Sequence, residues 1–178
     1  MEALVLRAAR PEDLEPMLAW RNQPANREVS NNQHVIPLDE HLAWWGRVVD
    51  DPTRRVLVFE VDGVPRGVVN FFDLALEAAP RTGSWGFFLD HETAAAEGTA
   101  MLLWTKVMGE AVDYAFDELG LDELHAEVLE HNEAVRMMNR RYRFTEGAPS
   151  PRESGGRTIS VIPICLRRED RRPRRRSR

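Results

Sequence analysis

Apolar residues recur along this chain with two alternating periods, and the alternation lays out an α/β domain. "ALVLRAA" (3–9) is a short, nearly continuous apolar run, the pattern of a buried strand. "PEDLEPMLAWRN" (11–22) switches to helical spacing, with Leu14, Met17, Leu18 and Arg21 on one face. Pro11 suits its first turn, and Glu12 and Asp13 suit its positive end. Residues 23–37 hold turn formers and no period, and 38–51 predict a second helix through apolar positions 38, 42, 45 and 48/49. The clearest local signal is 54–76, where two β-branched and aromatic runs flank Asp62-Gly63, a tight hairpin turn. "GSWGFFLD" (83–90) predicts a further strand. Residues 98–120 predict a long helix, with a buried stripe of Met101, Trp104, Met108, Ala111/Val112, Ala115 and Leu119, and Gly120 as its C-cap. A strand (121–130), a helix (132–142) and a last strand (157–167) follow. This order reads as one α/β domain with a mixed sheet.

Composition narrows the class. A chain of 178 residues can bury a core, and 43% hydrophobic with 30% charged residues is ordinary for a globular protein. No apolar run approaches the ~18–20 residues of a membrane span, so no membrane partner is expected. The N-terminus turns charged too early for a signal peptide, and the lone Cys165 excludes an internal disulfide and a multi-cysteine metal site. The expected compartment is cytoplasmic and reducing.

The charge is uneven. Eight Arg against Glu169 and Asp170 leave residues 167–178 at +6, so residues 1–166 carry −11 of the net −5. An acidic body argues against nucleic acid as partner. The reading is a domain over 1–166 and a basic, solvated Arg-rich tail over 167–178.

"HETAAAEGTAMLLW" (91–104) poses the chemical question. Small residues before a helix let a backbone approach an anion, and a helix N-terminus offers unpaired N–H groups and a positive dipole end. Taken alone, the stretch reads equally as an alanine-rich helix start.

Its context carries a resemblance. From "SWGFFLD" through "GTAMLLW" and "LDELHAEVLEHNEAVRMMNRRYRF", residues 84–144 resemble the core of the GNAT acyl-CoA N-acetyltransferase superfamily. "WRN" (20–22), Glu40-His41 ahead of a Trp, and the Gly67-Val68-Val69 strand resemble the branch that acetylates nucleotide-linked 4-amino sugars, the pseudaminic acid type. Ribosomal-protein N-terminal acetyltransferases share parts of this pattern. The resemblance covers about 145 of the 178 residues.

It implies a single GNAT-like domain with a mixed, mostly antiparallel sheet splayed at its centre and flanked by helices. It also implies acetyl-CoA as cosubstrate with no metal, a small-molecule amine as acceptor, and room for a homodimer. The cofactor would meet the backbone of Phe87, Phe88 and Leu89. Its pyrophosphate would sit on a loop including Ala96, Gly98 and Thr99, and Asn132 would hold the pantetheine arm or cap a helix. Ala96 replaces a family glycine, Thr93 replaces the leading Gln or Arg, and Glu97 puts an acid beside the phosphate site. Either cofactor affinity is weaker or Arg residues elsewhere compensate.

The acid/base residues depart further. Many relatives carry a Tyr where this chain has Asn139. Tyr142 lies on roughly the same helix face, and Arg143 replaces a Gly. For the base, Glu127 and His41 are the candidates, with His125 an alternative. The acceptor would be held by Arg21, Asn22, Trp44, Asn70 and Phe72. Arg suits a diphosphate by its forked geometry, and the aromatics suit a sugar or base face, with core packing the alternative for Trp20, Trp44 and Trp45. The leading expectation is acetylation of a nucleotide-linked amino sugar. The others are acetylation of a protein N-terminus or an antibiotic amine, and a non-catalytic acyl-CoA-binding module.

Overall fold

The computed structural model describes residues 4–30, 32–154 and 156–172. In chain order the elements are β1 (Leu4–Ala8), α1 (Leu14–Asn22), α2 (Pro24–Glu28), α3 (Leu38–Val48), β2 (Arg55–Val61), β3 (Val64–Ala75), β4 (Thr82–Leu89), α4 (His91–Ala96), α5 (Ala100–Asp113), β5 (Glu123–Leu129), α6 (Glu133–Arg141), β6 (Thr145–Glu146), β7 (Ser150–Ser154) and β8 (Arg157–Arg167). The sheet runs β1-β2-β3-β4-β5-β8-β6, with β7 also paired to β8. Every pairing is antiparallel except β4 with β5. The sheet is mixed, mostly antiparallel and open.

Two cores cover opposite faces. Leu57, Phe59, Val69, Phe71, Trp85, Leu124, Val128, Ile162 and Ile164 pack under α5 and α6. Val58 and Val68 pack with Leu14, Met17 and Trp20 of α1, joined by Trp44 and Trp45 of α3. Strand alternation sorts the rest. Asn70 and Phe72 share the α1/α3 face with Val68, whereas Trp85 and Phe87 share the α5/α6 face with Phe71.

The predicted elements form with small shifts, and the predicted stripes face inward over Met108, Ala111, Val112 and Ala115 and over Trp45 and Val48, but the start of each helix turns differently. α5 buries Leu103, Val107, Met108, Ala111 and Val112, while Met101 is 62% exposed. Residues 101–104 are apolar all round, so their period cannot choose a stripe; contact with the sheet does. In α3, Leu38 and Leu42 are exposed, and His41, Trp44, Trp45 and Val48 face inward. The aromatic stripe has more area to bury.

Helices α2 and α4 and strands β6 and β7 were not expected from the pattern. The basic tail starts later than the charge pattern implied. Strand β8 extends through Arg167. The end of α5 widens into a π turn over Tyr114–Glu118, and Arg168 donates to the carbonyls of Phe116 (2.8 Å) and Leu121 (2.6 Å). Arg171 reaches Asp113 and Asp117, and both guanidinium groups lie over the Phe116 ring. Residues 173–178, the remainder of that tail, lie outside the described residues.

Candidate active site

The site begins where two strands part. β4 and β5 pair only through Thr82–Ser84 and Glu123–His125. Beyond Ser84 and His125 the strands diverge, so the facing edges of 85–89 and 126–129 have no strand partner. An extended ligand can hydrogen-bond to such backbone edges.

Ahead of the splay stands the amide end of α5. The first intrahelical bond runs from the Leu103 N–H to the Thr99 carbonyl, leaving the N–H groups of residues 100–102 ahead of it. Gly98 takes φ +68°, and a Cβ built there would meet nothing within 4 Å, so the turn is open on that side. The alanine run itself is helical. Thr93–Ala96 belong to α4, which Asp90 caps by accepting from the Thr93 N–H. An extended cradle over Thr93–Ala96 is therefore absent, and the backbone available for the expected phosphate narrows to residues 98–102. Glu97 does not face the site uncompensated, because Arg66 of β3 pairs with it at 3.1 Å.

Two buried amides, unremarked in the sequence, fix this corner. Gln23 donates to Asp90 (2.8 Å) and accepts from the His91 N–H (2.7 Å). Asn26 donates to the carbonyls of Trp20 (2.7 Å) and Leu89 (2.8 Å). Except for Trp20, their partners lie more than 60 residues away, so no local pattern marks them. A third overlooked residue is Trp85. It is 5% exposed, and its indole N–H is buried without a partner. It sits one residue beyond the last β4–β5 bridge, on the α5/α6 face, against Phe87 and Phe144. A buried unpaired donor is costly, so its presence at the splay points to a ligand.

Phe87 and Leu89 pack in the α5/α6 core, and Phe88 packs in the α1/α3 core. Their backbones alone are free to serve a ligand. Asn132 caps α6, accepting from the Val135 N–H at 3.3 Å. Asn139 is 4% exposed near the end of α6. The Tyr142 hydroxyl donates to the Thr105 carbonyl of α5 at 2.9 Å, and burial raises its pKa. Glu127 is exposed on β5, and both its oxygens meet the guanidinium of Arg152.

On the other face, His41 is 5% exposed, stacked on Trp44 at 5.3 Å, with a buried, unpartnered Nε2. Burial pushes its imidazole below the usual histidine range, against an opposing hydrogen bond with the Leu14 backbone. Arg21 donates to the Asn32 carbonyl at 2.7 Å, but its Nη1 is buried and unpaired. Asn70 likewise carries an unpaired, buried Oδ1. Asn22 spends both ends of its amide on the Ile36 backbone, at 2.8 and 2.9 Å, which pins the loop before α3. Phe72 is half-buried opposite Ser84.

The family model for the acetyltransferase (GNAT) domain matches residues 3–145. The chain belongs to the GNAT acetyltransferase family. The fold is similar to that of spermidine N-acetyltransferase from Vibrio cholerae, solved with CoA and spermine, at TM-score 0.81 and 19% identity over 94% of this chain and 96% of that one. A chimeric form of the Vibrio cholerae enzyme gives TM-score 0.79 and 20% identity over 93% and 96% of the two chains. No curated protein matches at a significant level.

This acetyltransferase acts on amines and takes acetyl-CoA as acyl donor. The residues present fit that donor. The amides of 100–102 and the open turn at Gly98 suit a pyrophosphate, and the unpaired strand edges suit the two amides of a pantetheine arm.

Proposed function

We propose that this acetyltransferase acetylates a primary amine on a small molecule that also carries an anionic group, a nucleotide-linked amino sugar being the fitting class. The observation that carries this reading is Arg21. Its Nη1 is buried without a hydrogen-bond partner, and desolvation and the neighbouring Arg27 lower its pKa against the opposing charge of Glu40, so no anionic charge is bonded at that end of the guanidinium. An acceptor bearing a diphosphate supplies that charge with matching forked geometry. Asn70 Oδ1 and His41 Nε2, unpaired on the same side of the sheet, are an acceptor and a candidate acceptor for sugar hydroxyls or the amine.

Bound acetyl-CoA supplies the thioester carbonyl that the amine attacks. The amine nitrogen gains the acetyl group and loses a proton, the C–S bond breaks, and the thiolate takes a proton. Glu127 is proposed as the proton acceptor, once the acceptor's approach separates it from Arg152, with His41 holding the amine side. Asn139 donates a hydrogen bond toward the leaving sulfur and takes the place of a family Tyr. Tyr142 supports that position by locking α6 onto α5.

A polyamine acceptor is the second reading, favoured by the fold's likeness to the spermidine enzyme and by the −11 charge of residues 1–166. Thiol release with acetyl-CoA separates them. Turnover on nucleotide-linked amino sugars, lost in Arg21→Ala, supports the first reading. Turnover on spermidine and spermine with none on amino sugars replaces it with the second. Acetyl-CoA binding with no thiol release on any amine removes both.

A further inference from the structure

Three unlike donor side chains converge on the open sheet face, on the same side of β5 as Glu127. β5 and β8 run antiparallel with His125 directly opposite Cys165. Glu123 lies two residues before His125, so its side chain emerges on the same face. The intervening Leu124, together with Ile164 and Leu166 of β8, points to the α5/α6 core, which sends Glu123, His125 and Cys165 to the other face. One ligating atom of each lies within 4.8 Å of the other two.

We propose that Glu123, His125 and Cys165 form a binding site for a thiophilic divalent cation such as Zn2+. A thiol sulfur, an imidazole nitrogen and a carboxylate oxygen are a borderline-soft set. They suit Zn2+ or Co2+ and not Mg2+ or Ca2+. A tetrahedral zinc with bonds of about 2.0–2.3 Å holds its donors roughly 3.3–3.6 Å apart, so the side chains need to close by about 1 Å through rotation. The carboxylate is already oriented. Its Oε2 lies 3.2 Å from His125 Nε2, and its Oε1 lies 3.4 Å from Arg167 Nε. Arg167 thus holds one oxygen and leaves the other for the metal, the role of an outer partner to a ligand. Three protein donors leave a fourth position for water. On binding, the thiol sulfur exchanges its proton for the metal, and the proton goes to solvent.

Position gives the site a consequence. His125 faces Ser84 at the last bridge before the splay, on the face that α1 and α3 leave uncovered here. A dication there meets an incoming ammonium with like charge. The cation therefore inhibits acetyl transfer and does not assist it. This consequence rests on the proposed entry of the amine; the binding itself does not.

Cobalt titration of the chelator-treated full chain tests the site. We expect one Co2+ per chain and a near-ultraviolet thiolate-to-cobalt charge-transfer band, displaced by Zn2+. Cys165→Ser abolishes the band while acetyl-CoA affinity and far-ultraviolet circular dichroism stay unchanged. Arg167→Ala weakens cobalt binding about tenfold or more. No band, or a band that survives Cys165→Ser, overturns the proposal. Steady-state assays with Zn2+ form the second arm. Inhibition in the wild type that is relieved in Cys165→Ser supports the whole inference. Cobalt binding without inhibition keeps the site and removes the proposed amine entry.

Discussion

Arg66 and Glu97 form an ion pair, 3.1 Å apart, between β3 and the turn that opens α5. The pair answers the charge problem in "AAAEGT": an acid stands beside the proposed phosphate site, and a cation from another strand offsets it. Arg66→Ala is expected to weaken acetyl-CoA binding roughly two- to fivefold, the range of a partly exposed charge at a helix end. Glu97→Gln is expected to tighten it slightly. The double variant should return close to wild type. Calorimetric titration of the four proteins measures the coupling, and additive effects would show that the pair does not shield the phosphate site.

The basic segment after β8 gives a stability prediction. The Arg171 side chain is 13% exposed and joins Asp113 at 2.5 Å and Asp117 at 2.6 Å, whereas Arg172 is exposed. Arg171→Ala strands two aspartates and uncovers Phe116. It should cost about 1–3 kcal/mol and lower the melting temperature by several degrees, with Arg172→Ala unchanged. Equal melting temperatures for the two variants would return this segment to the status of a solvated tail.

These features show which parts of the structure the sequence discloses. The Asp62-Gly63 hairpin was legible because both residues take positive φ, at 51° and 78°, as the turn type demands. Gly120 was legible for the same reason, at φ +68°. Each signal sits inside the residues it describes. The later stripe of α5, Met108 to Ala115, was legible, but its first turn was not, because Met101–Trp104 are apolar in every direction and the sheet decides which side is buried. Strand β7, "SPRES", offers no apolar alternation and forms only as an edge on β8. Gln23, Asn26 and the Arg66–Glu97 pair depend on partners tens of residues away. The turn ahead of α5 was legible at Gly98, but helix α4 takes up the residues before it that looked like loop.

His41 sets a pH dependence. Burial lowers its folded-state pKa from 6.5, so below that value the unfolded chain binds a proton that the folded chain resists. Stability from this group is complete above about pH 6.5 and falls as pH drops toward the folded pKa. Denaturant midpoints measured between about pH 7 and pH 5 should decline in the wild type and decline less in His41→Phe. Parallel slopes in the two proteins would remove His41 as the cause.

Glu127 carries the proposed proton transfer. Glu127→Gln keeps the shape and loses the base, so kcat should fall by roughly 10²-fold or more with acetyl-CoA affinity retained. The acid limb of the kcat/KM profile should also change. A profile that superimposes on the wild type would assign the base elsewhere. Arg152→Ala separates structure from chemistry, because it frees the same carboxylate without deleting it and should leave substantial activity.

Trp85 makes the most discriminating case, because one substitution should weaken binding while leaving stability in place. The indole is buried between Phe87, Phe71 and Phe144, and its N–H has no partner. Phenylalanine keeps an aromatic ring in the stack and removes the unsatisfied donor, whose burial costs about 1–3 kcal/mol, against some loss of packing volume. The free protein should therefore hold its stability in Trp85→Phe, where an ordinary core truncation would lower it. We propose that bound acetyl-CoA brings an acceptor to this donor; on that proposal the same substitution should weaken its binding about three- to tenfold, the worth of one hydrogen bond. Thermal melts with and without saturating acetyl-CoA read both effects in one experiment. The expected result is an unchanged melting temperature for the free variant and a smaller ligand-induced rise than in the wild type. A lower melting temperature with an undiminished rise would make Trp85 a packing residue and leave the pantetheine arm to the strand edges alone.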